Sequence, residues 1–155
     1  MIIKTPTIHF FTSGCADGPS TQNALDGAFF SARLGNINPV RVGSVLSPGS
    51  RVVESHELPT GALVPVIYAC LSSAVPGELI SAGVAVAYPR DRTQAGLAME
   101  YAAPGHKEDI EAVVRRMAEE GLRLREQEVE GVFSIAVQHK VEKIGAVLAA
   151  VVLWD

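Results

Sequence analysis

The chain has 155 residues, of which 48% are hydrophobic and 19% charged, with a formal net charge of −4. That length is a single domain, 1–155, long enough for a real core, and the composition excludes a disordered chain. The acidic balance and the lack of any Lys/Arg cluster exclude a nucleic-acid partner, while mild acidity suits a cationic ligand.

In chain order, Thr7–Thr12 reads as a short strand and Ser13–Ser20, with two glycines and a proline, as a loop. A helix is predicted from Thr21, capped by Ser20 or Thr21, because Leu25, Ala28, Phe29 and Ala32 recur on one face. Asn36–Pro39 reads as a turn, Val40–Leu46 as one strand and Ser47–Gly49 as another turn. Strands are expected over Leu63–Ala69, Leu79–Tyr88 and Gln94–Glu100, with a loop over Ser72–Gly77. The clearest element is a helix over His106–Arg123, with an apolar stripe of Ile110, Val113, Val114 and Met117 and a charged outer face. Gly121 is expected to shorten that helix or to sit near its C-cap. Phe133–Val141 and Ile144–Leu153 complete the set as strands. Strands outnumber helices without alternating with them, which gives an α+β class. Several strands are apolar on both sides, so helices must cover the sheets.

The apolar tail Ile144–Trp154 is too short to cross a bilayer, so no membrane association is expected. Met1–Pro6 holds no basic stretch followed by an apolar core, so no leader is expected and the chain reads as cytoplasmic. Cys15 and Cys70 form no C-x-x-C and read as two thiols in a reducing compartment. His9, His56, His106 and His139 lack metal-ligand spacing and read as structural or surface residues, with no metal expected. The apolar content is high for so small a domain, which points to burial between subunits.

Ser44 follows Gly43 in an apolar run closed by a Ser-Pro-Gly turn. A Gly-Ser pair by itself most often makes a turn. It is also a bond that a serine hydroxyl can open by attack on the preceding carbonyl. β-Elimination then leaves dehydroalanine, which hydrolyses to a pyruvoyl group. Such a ketone forms a Schiff base with an amine and accepts electrons, as pyridoxal phosphate does.

Five segments in order carry a family resemblance: Asn23–Phe30 (NALDGAFF), Gly35–Ser44 (GNINPVRVGS), Leu58–Ala69 (LPTGALVPVIYA), Gly96–Tyr101 (GLAMEY), and Ser134–Gly145 (SIAVQHKVEKIG) followed by Ala149–Trp154 (AAVVLW). With these the chain resembles the pyruvoyl-dependent arginine decarboxylases, from about Phe11 to Trp154. One position departs: family members carry Ser or Thr before the pyruvoyl serine, where this chain has Gly43, although other pyruvoyl enzymes use a Gly-Ser bond.

The resemblance implies a four-layer αββα sandwich assembled as a homotrimer or higher. It implies self-cleavage at Gly43–Ser44 into residues 1–43 (β chain) and 44–155 (α chain), with Ser44 the precursor of the covalent pyruvoyl cofactor. Asn38 would assist cleavage by hydrogen-bonding near the scissile carbonyl, where negative charge develops. Glu100 would be the catalytic acid that reprotonates the carbon after CO2 leaves, held neutral by an apolar setting. Asp26 would bind the guanidinium of L-arginine, whose planar fork a carboxylate accepts in bidentate fashion; the product would be agmatine. Two other readings fit the same residues: a pyruvoyl-dependent decarboxylase of histidine or aspartate, and an uncleaved, non-catalytic homologue that binds small molecules.

Overall fold

The structure is a computed structural model and describes residues 4–155; Met1–Ile3, part of the segment read as lacking a leader, lie outside the described residues. The elements run β1 (Ile8–Asp17), α1 (Thr21–Ser31), β2 (Asn38–Arg41), β3 (Val45–Leu46), β4 (Arg51–Val52), β5 (Leu63–Ser73), β6 (Leu79–Pro89), β7 (Gly96–Pro104), α2 (Lys107–Leu124), β8 (Val129–Lys140) and β9 (Gly145–Trp154). They form a five-stranded sheet, β2-β5-β9-β1-β4, and a four-stranded sheet, β3-β7-β6-β8. Among the described residues no helix is long and apolar enough to cross a membrane.

Strand alternation decides what each face buries. Along β9, Val147, Ala149 and Val151 point into a core shared with Ile80, Ala82, Val84, Val86 and Ala98 of the other sheet. The intervening Ala146, Leu148, Ala150 and Val152 meet Ala24, Ala28 and Ala32 of α1. Both faces of β9 are therefore covered, which is why it reads as a continuous apolar run rather than an alternating one. Fully burying each of its valines contributes about 1.5–3 kcal/mol. On the four-stranded sheet, Val114, Ala118 and Leu122 of α2 pack on Ala85, Ala87 and Leu97. The α+β class is thus observed, with two sheets and two helices.

Several sequence expectations need correction. Residues Ser13–Asp17 are not a loop: β1 continues through them, pairing with β9 from Ile8↔Trp154 to Asp17↔Gly145. Gly14 misled the reading. It sits in the strand because α1 crosses so closely that a Cβ there would lie 2.3 Å from the Ala28 carbonyl oxygen. Ser20 is the helix cap, its side chain accepting from Asn23 N–H.

Val40–Leu46 is not one strand. β2 pairs in parallel with β5 as far as Arg41↔Val66, whereas β3 pairs with β7 in the other sheet. Residues 42–44 cross between the sheets. Periodicity sees one apolar run and cannot see that its two ends have different partners. The Asn36–Pro39 turn gives way to β2 from Asn38, β4 has no sequence signal, and β5 takes in Ser72 and Ser73 from the expected loop. β7 is shifted toward its C-terminus and β8 begins four residues early. Gly121 neither shortens α2 nor caps it: the helix passes through to Leu124. A Cβ at Gly121 would lie 1.7 Å from Leu97 Cδ2, so the glycine marks the closest approach of α2 to β7.

Candidate active site

Gly43 and Ser44 lie where the chain leaves one sheet for the other. Upstream, Val42 N–H donates to the Val66 carbonyl at 3.1 Å; downstream, the Ser44 carbonyl accepts from Ala98 N–H at 2.7 Å. The bond between residues 43 and 44 is thus held from both sides, by β5 before it and β7 after it. Gly43 is exposed and a Cβ there would meet nothing within 4 Å. The residue is accordingly not required to be glycine for lack of space.

Ala98 and Glu100 are alternate residues of β7 and project to the same face. The pinned Ser44 carbonyl therefore lies about 7 Å along the strand from the Glu100 position. Glu100 is not at a strand end, and its setting is not the apolar one expected. Its Oε1 accepts from Arg41 Nη2 at 2.6 Å, with the Glu100 side chain 31% exposed. The same Nη2 donates to the Tyr68 carbonyl at 2.8 Å, and the guanidinium lies 4.6 Å from the Tyr68 ring centroid. The hydrogen bond to Glu100 raises the Arg41 pKa above its ordinary value. Beside this pair, burial pushes the Cys70 thiol up, with Arg41 opposing and Glu100 reinforcing the shift. Cys15 and Cys70 are both free thiols, as expected from their spacing.

Asp26 is exposed on α1 and, among the described residues, has no hydrogen-bond or ion-pair partner. It stands one turn before Phe29, whose ring meets Tyr68 edge-on at 5.5 Å. The series Asp26, Phe29, Tyr68, Arg41, Glu100 thus runs from α1 past β5 to β7. Asn38 is not joined to this group. Its side-chain amide donates to the Gly61 carbonyl at 3.0 Å, and its N–H to Ala62, tying the start of β2 to the turn before β5. The structure pairs Glu100 with Arg41, sets the Ser44 carbonyl on Ala98 of the same strand, leaves Asp26 exposed on α1 one turn before Phe29, and gives Asn38 a backbone partner elsewhere.

Sequence reasoning missed Arg41 and Tyr68. The available signal for Arg41 was a lone cation inside Pro-Val-Arg-Val-Gly-Ser, an otherwise apolar strand; Tyr68 carried none. Of the histidines, His56 and His106 are exposed. His139 Nε2 lies 2.6 Å from Asp17 Oδ2 and ties the end of β8 to β1, a structural role. Among the described residues no cluster of His, Cys, Asp and Glu could hold a metal.

The family model for pyruvoyl-dependent arginine decarboxylase matches residues 8–155. A pyruvoyl-dependent arginine decarboxylase of Methanocaldococcus jannaschii is 42% identical over 97% of this chain and 92% of its own length. Those of Methanococcus vannielii and Thermococcus kodakarensis are 36% and 35% identical, covering 99% and 97% of this chain and 99% and 96% of their own. The chain belongs to the pyruvoyl-dependent arginine decarboxylase family.

Proposed function

We propose that this chain cuts itself between Gly43 and Ser44 and decarboxylates L-arginine to agmatine and CO2. The observation that carries the reading is the anchored crossing: the Ser44 carbonyl bonded to Ala98 N–H, with Glu100 two residues along the same strand. Family membership over nearly the whole chain supports it.

Cleavage uses the chain's own atoms. The Ser44 hydroxyl attacks the Gly43 carbonyl, the new C–O bond forms, the C–N bond breaks, and the hydroxyl proton passes to the freed amine. Loss of the Ser44 α-proton then breaks the Cβ–O bond and releases Gly43 as a carboxylate. Water converts the dehydroalanine to a ketone and liberates ammonia. Gly43, open on its Cα side, leaves the approach of the hydroxyl unhindered. For Asn38 to assist, its side-chain amide must exchange the Gly61 carbonyl for the Gly43 carbonyl as that gains negative charge.

The pyruvoyl group supplies an electron-accepting ketone that captures the amine of an amino acid. Glu100, whose side chain reaches solvent, relays a proton from water to the carbon that has lost CO2, and Arg41 holds that side chain in place. Asp26 accepts the guanidinium in bidentate fashion, with Phe29 and Phe30 beside it. A carboxylate at this position opposes an acidic substrate such as aspartate. Weak rather than tight holding of the substrate carboxylate favours its departure.

The layering we infer is αββα, and the assembly a homotrimer of cleaved protomers in the cytoplasm. Exposed Phe30, Val40, Val45 and Leu63 lie on the elements around the cleavage bond, which supports a partner subunit seated there.

Intact mass under denaturing conditions tests the proposal. Fragments of residues 1–43 and 44–155, the larger with a pyruvoyl terminus, together with agmatine formed from arginine, are the expected result. A single 155-residue species refutes the cleavage.

A further inference from the structure

After Ser44 the chain does not simply continue along one sheet. β2 is one edge of the five-stranded sheet, β3 is an edge of the four-stranded sheet, and β4 is the opposite edge of the five-stranded sheet. Residues 42–50 therefore form a strap that leaves the first sheet at one margin, touches the second, and returns to the first at its far margin. Its near end is fixed by Val42 N–H on Val66 and its middle by Ala98 N–H on Ser44 and by Leu46, which is buried between the sheets. Its far end is fixed by polar contacts: Ser47 Oγ donates to the Pro6 carbonyl, Arg51 N–H to Thr7 and Val53 N–H to His9.

The last anchor is the most costly. The described residues hold two buried polar side chains, His9 and Ser81, and His9 is fully buried. His9 Nδ1 lies 2.9 Å from Ser50 Oγ and Nε2 lies 2.7 Å from Tyr88 Oη. Both ring nitrogens are thus satisfied by hydroxyls, which rotate to suit either tautomer. No carboxylate joins the network, and burial lowers the His9 pKa to about 4, so the ring is neutral and serves as a spacer rather than a base. The surrounding cores are apolar and do not need a histidine. A buried polar group is tolerated only while its partners are in place, so this one specifies a single position for the strap. The network also straddles the scissile bond in sequence: His9 precedes it, while Ser50 and Tyr88 follow it.

Resting on the self-cleavage reading above, we propose that His9, Ser50 and Tyr88 are positioning residues for that cleavage. They clamp the far end of the strap, hold it across the gap between the sheets, and so keep the Ser44 hydroxyl on the Gly43 carbonyl. None of the three touches the reacting atoms. Their effect passes through the segment from Ser44 to the turn that ends at Ser50, where Ser50 N–H donates to the Ser47 carbonyl.

The test follows cleavage in time after cell-free synthesis of the full chain, by denaturing gel and intact mass, with folding monitored by thermal melting. Ser50→Ala and Tyr88→Phe each delete one hydroxyl from the clamp, and each is expected to slow cleavage about tenfold, the kinetic equivalent of one lost hydrogen bond. Ser50→Thr, which restores the hydroxyl, is expected to restore the rate. Ser81→Ala is the matched control: it deletes a buried hydroxyl that donates to the Gly105 carbonyl, away from the strap, and should lower the melting temperature without slowing cleavage. Clamp variants that cut as fast as wild type, or no more slowly than Ser81→Ala at equal melting temperature, overturn the clamp alone. A wild-type chain that never cuts overturns the reading beneath it and the clamp with it.

Discussion

Replacing Gly121 with alanine sets two effects against each other. Alanine is favoured over glycine in a helix interior by about 1 kcal/mol, so an exposed site would gain stability. Gly121 is not exposed: its added Cβ would stand 1.7 Å from Leu97 Cδ2, 3.2 Å from Leu97 Cγ and 3.3 Å from Met99 Cε. Leu97 is 1% exposed and packed in the cluster that joins α2 to the four-stranded sheet. Forcing it off its rotamer costs about 0.5–1.5 kcal/mol, and overpacking a closed core costs about 1–3 kcal/mol. The clash wins, for a net loss of about 0.5–3.5 kcal/mol and a fall in melting temperature of about 1–14 °C. The displaced strand is β7, so the Ala98 N–H that pins Ser44 and the Glu100 carboxylate should shift with it, and activity should fall beyond the stability loss. Calorimetry of Gly121→Ala beside Gly131→Ala, a site in β8 with nothing within 4 Å, provides the comparison. A melting temperature equal to or above wild type for Gly121→Ala refutes the packing argument.

Glu100→Gln keeps an acceptor for Arg41 but cannot deliver a proton. It should cut normally, lose less than about 1 kcal/mol because the ion pair is partly exposed, and lose roughly 10²–10⁴ in kcat for agmatine release. Asp26→Asn should raise the KM for arginine while fragment yield stays unchanged; equal turnover of arginine would remove the guanidinium assignment. Gly43→Ser should fold within about 0.5 kcal/mol of wild type and still cut, since the position is open and its backbone is not left-handed; a precursor that accumulates uncut would show that cleavage requires glycine. Stability should also fall on both sides of neutrality. His9 takes up a proton near pH 6.5 when unfolded but only at about 4 when folded, so its contribution is complete above pH 6.5 and declines toward pH 4, by up to about 3 kcal/mol. Burial pushes the Asp17 carboxyl up but is outweighed by hydrogen bonds from His139 and the N–H groups of Glu142 and Lys143; its net lowering weakens the fold in the same acid direction. Tyr88, pushed up to about 12 by burial, destabilises the fold as pH rises past 10. Urea midpoints against pH check this, and His9→Gln should flatten the acid slope.

Much of this was legible because burial writes period into sequence. α2 and the doubly covered β6 and β9 were found from hydrophobic spacing, although of the expected α2 stripe only Ile110 and Val114 are buried, Val113 and Met117 being half-buried while Ala118 and Leu122 complete the inner face. What failed shares one cause: partner identity. Gly14 looks like a loop residue until α1 is laid over it, and Val40–Leu46 looks like one strand until its ends are assigned to different sheets. The site was legible in part through Ser44 and Glu100, whose residue types and family segments stand out. Arg41 and Tyr68 escaped because their roles arise from packing at the margin of β5, which neighbouring residues in sequence do not encode.

β1 lies inside the five-stranded sheet, bonded to β9 along its length, yet the proposed cut would leave it on the 1–43 piece. Before the cut, that strand is supplied by the same molecule and folding is a first-order event. After it the mature protein would be a complex of two polypeptides that share one sheet, without the local concentration that the covalent link provides. Denatured mature protein should regain structure only as fast as the two pieces meet, with a yield that rises with concentration, while uncut Ser44→Ala refolds independently of it. On the proposed cleavage, maturation would work as a ratchet: the chain folds easily once, as a precursor, and after that its survival depends on not coming apart.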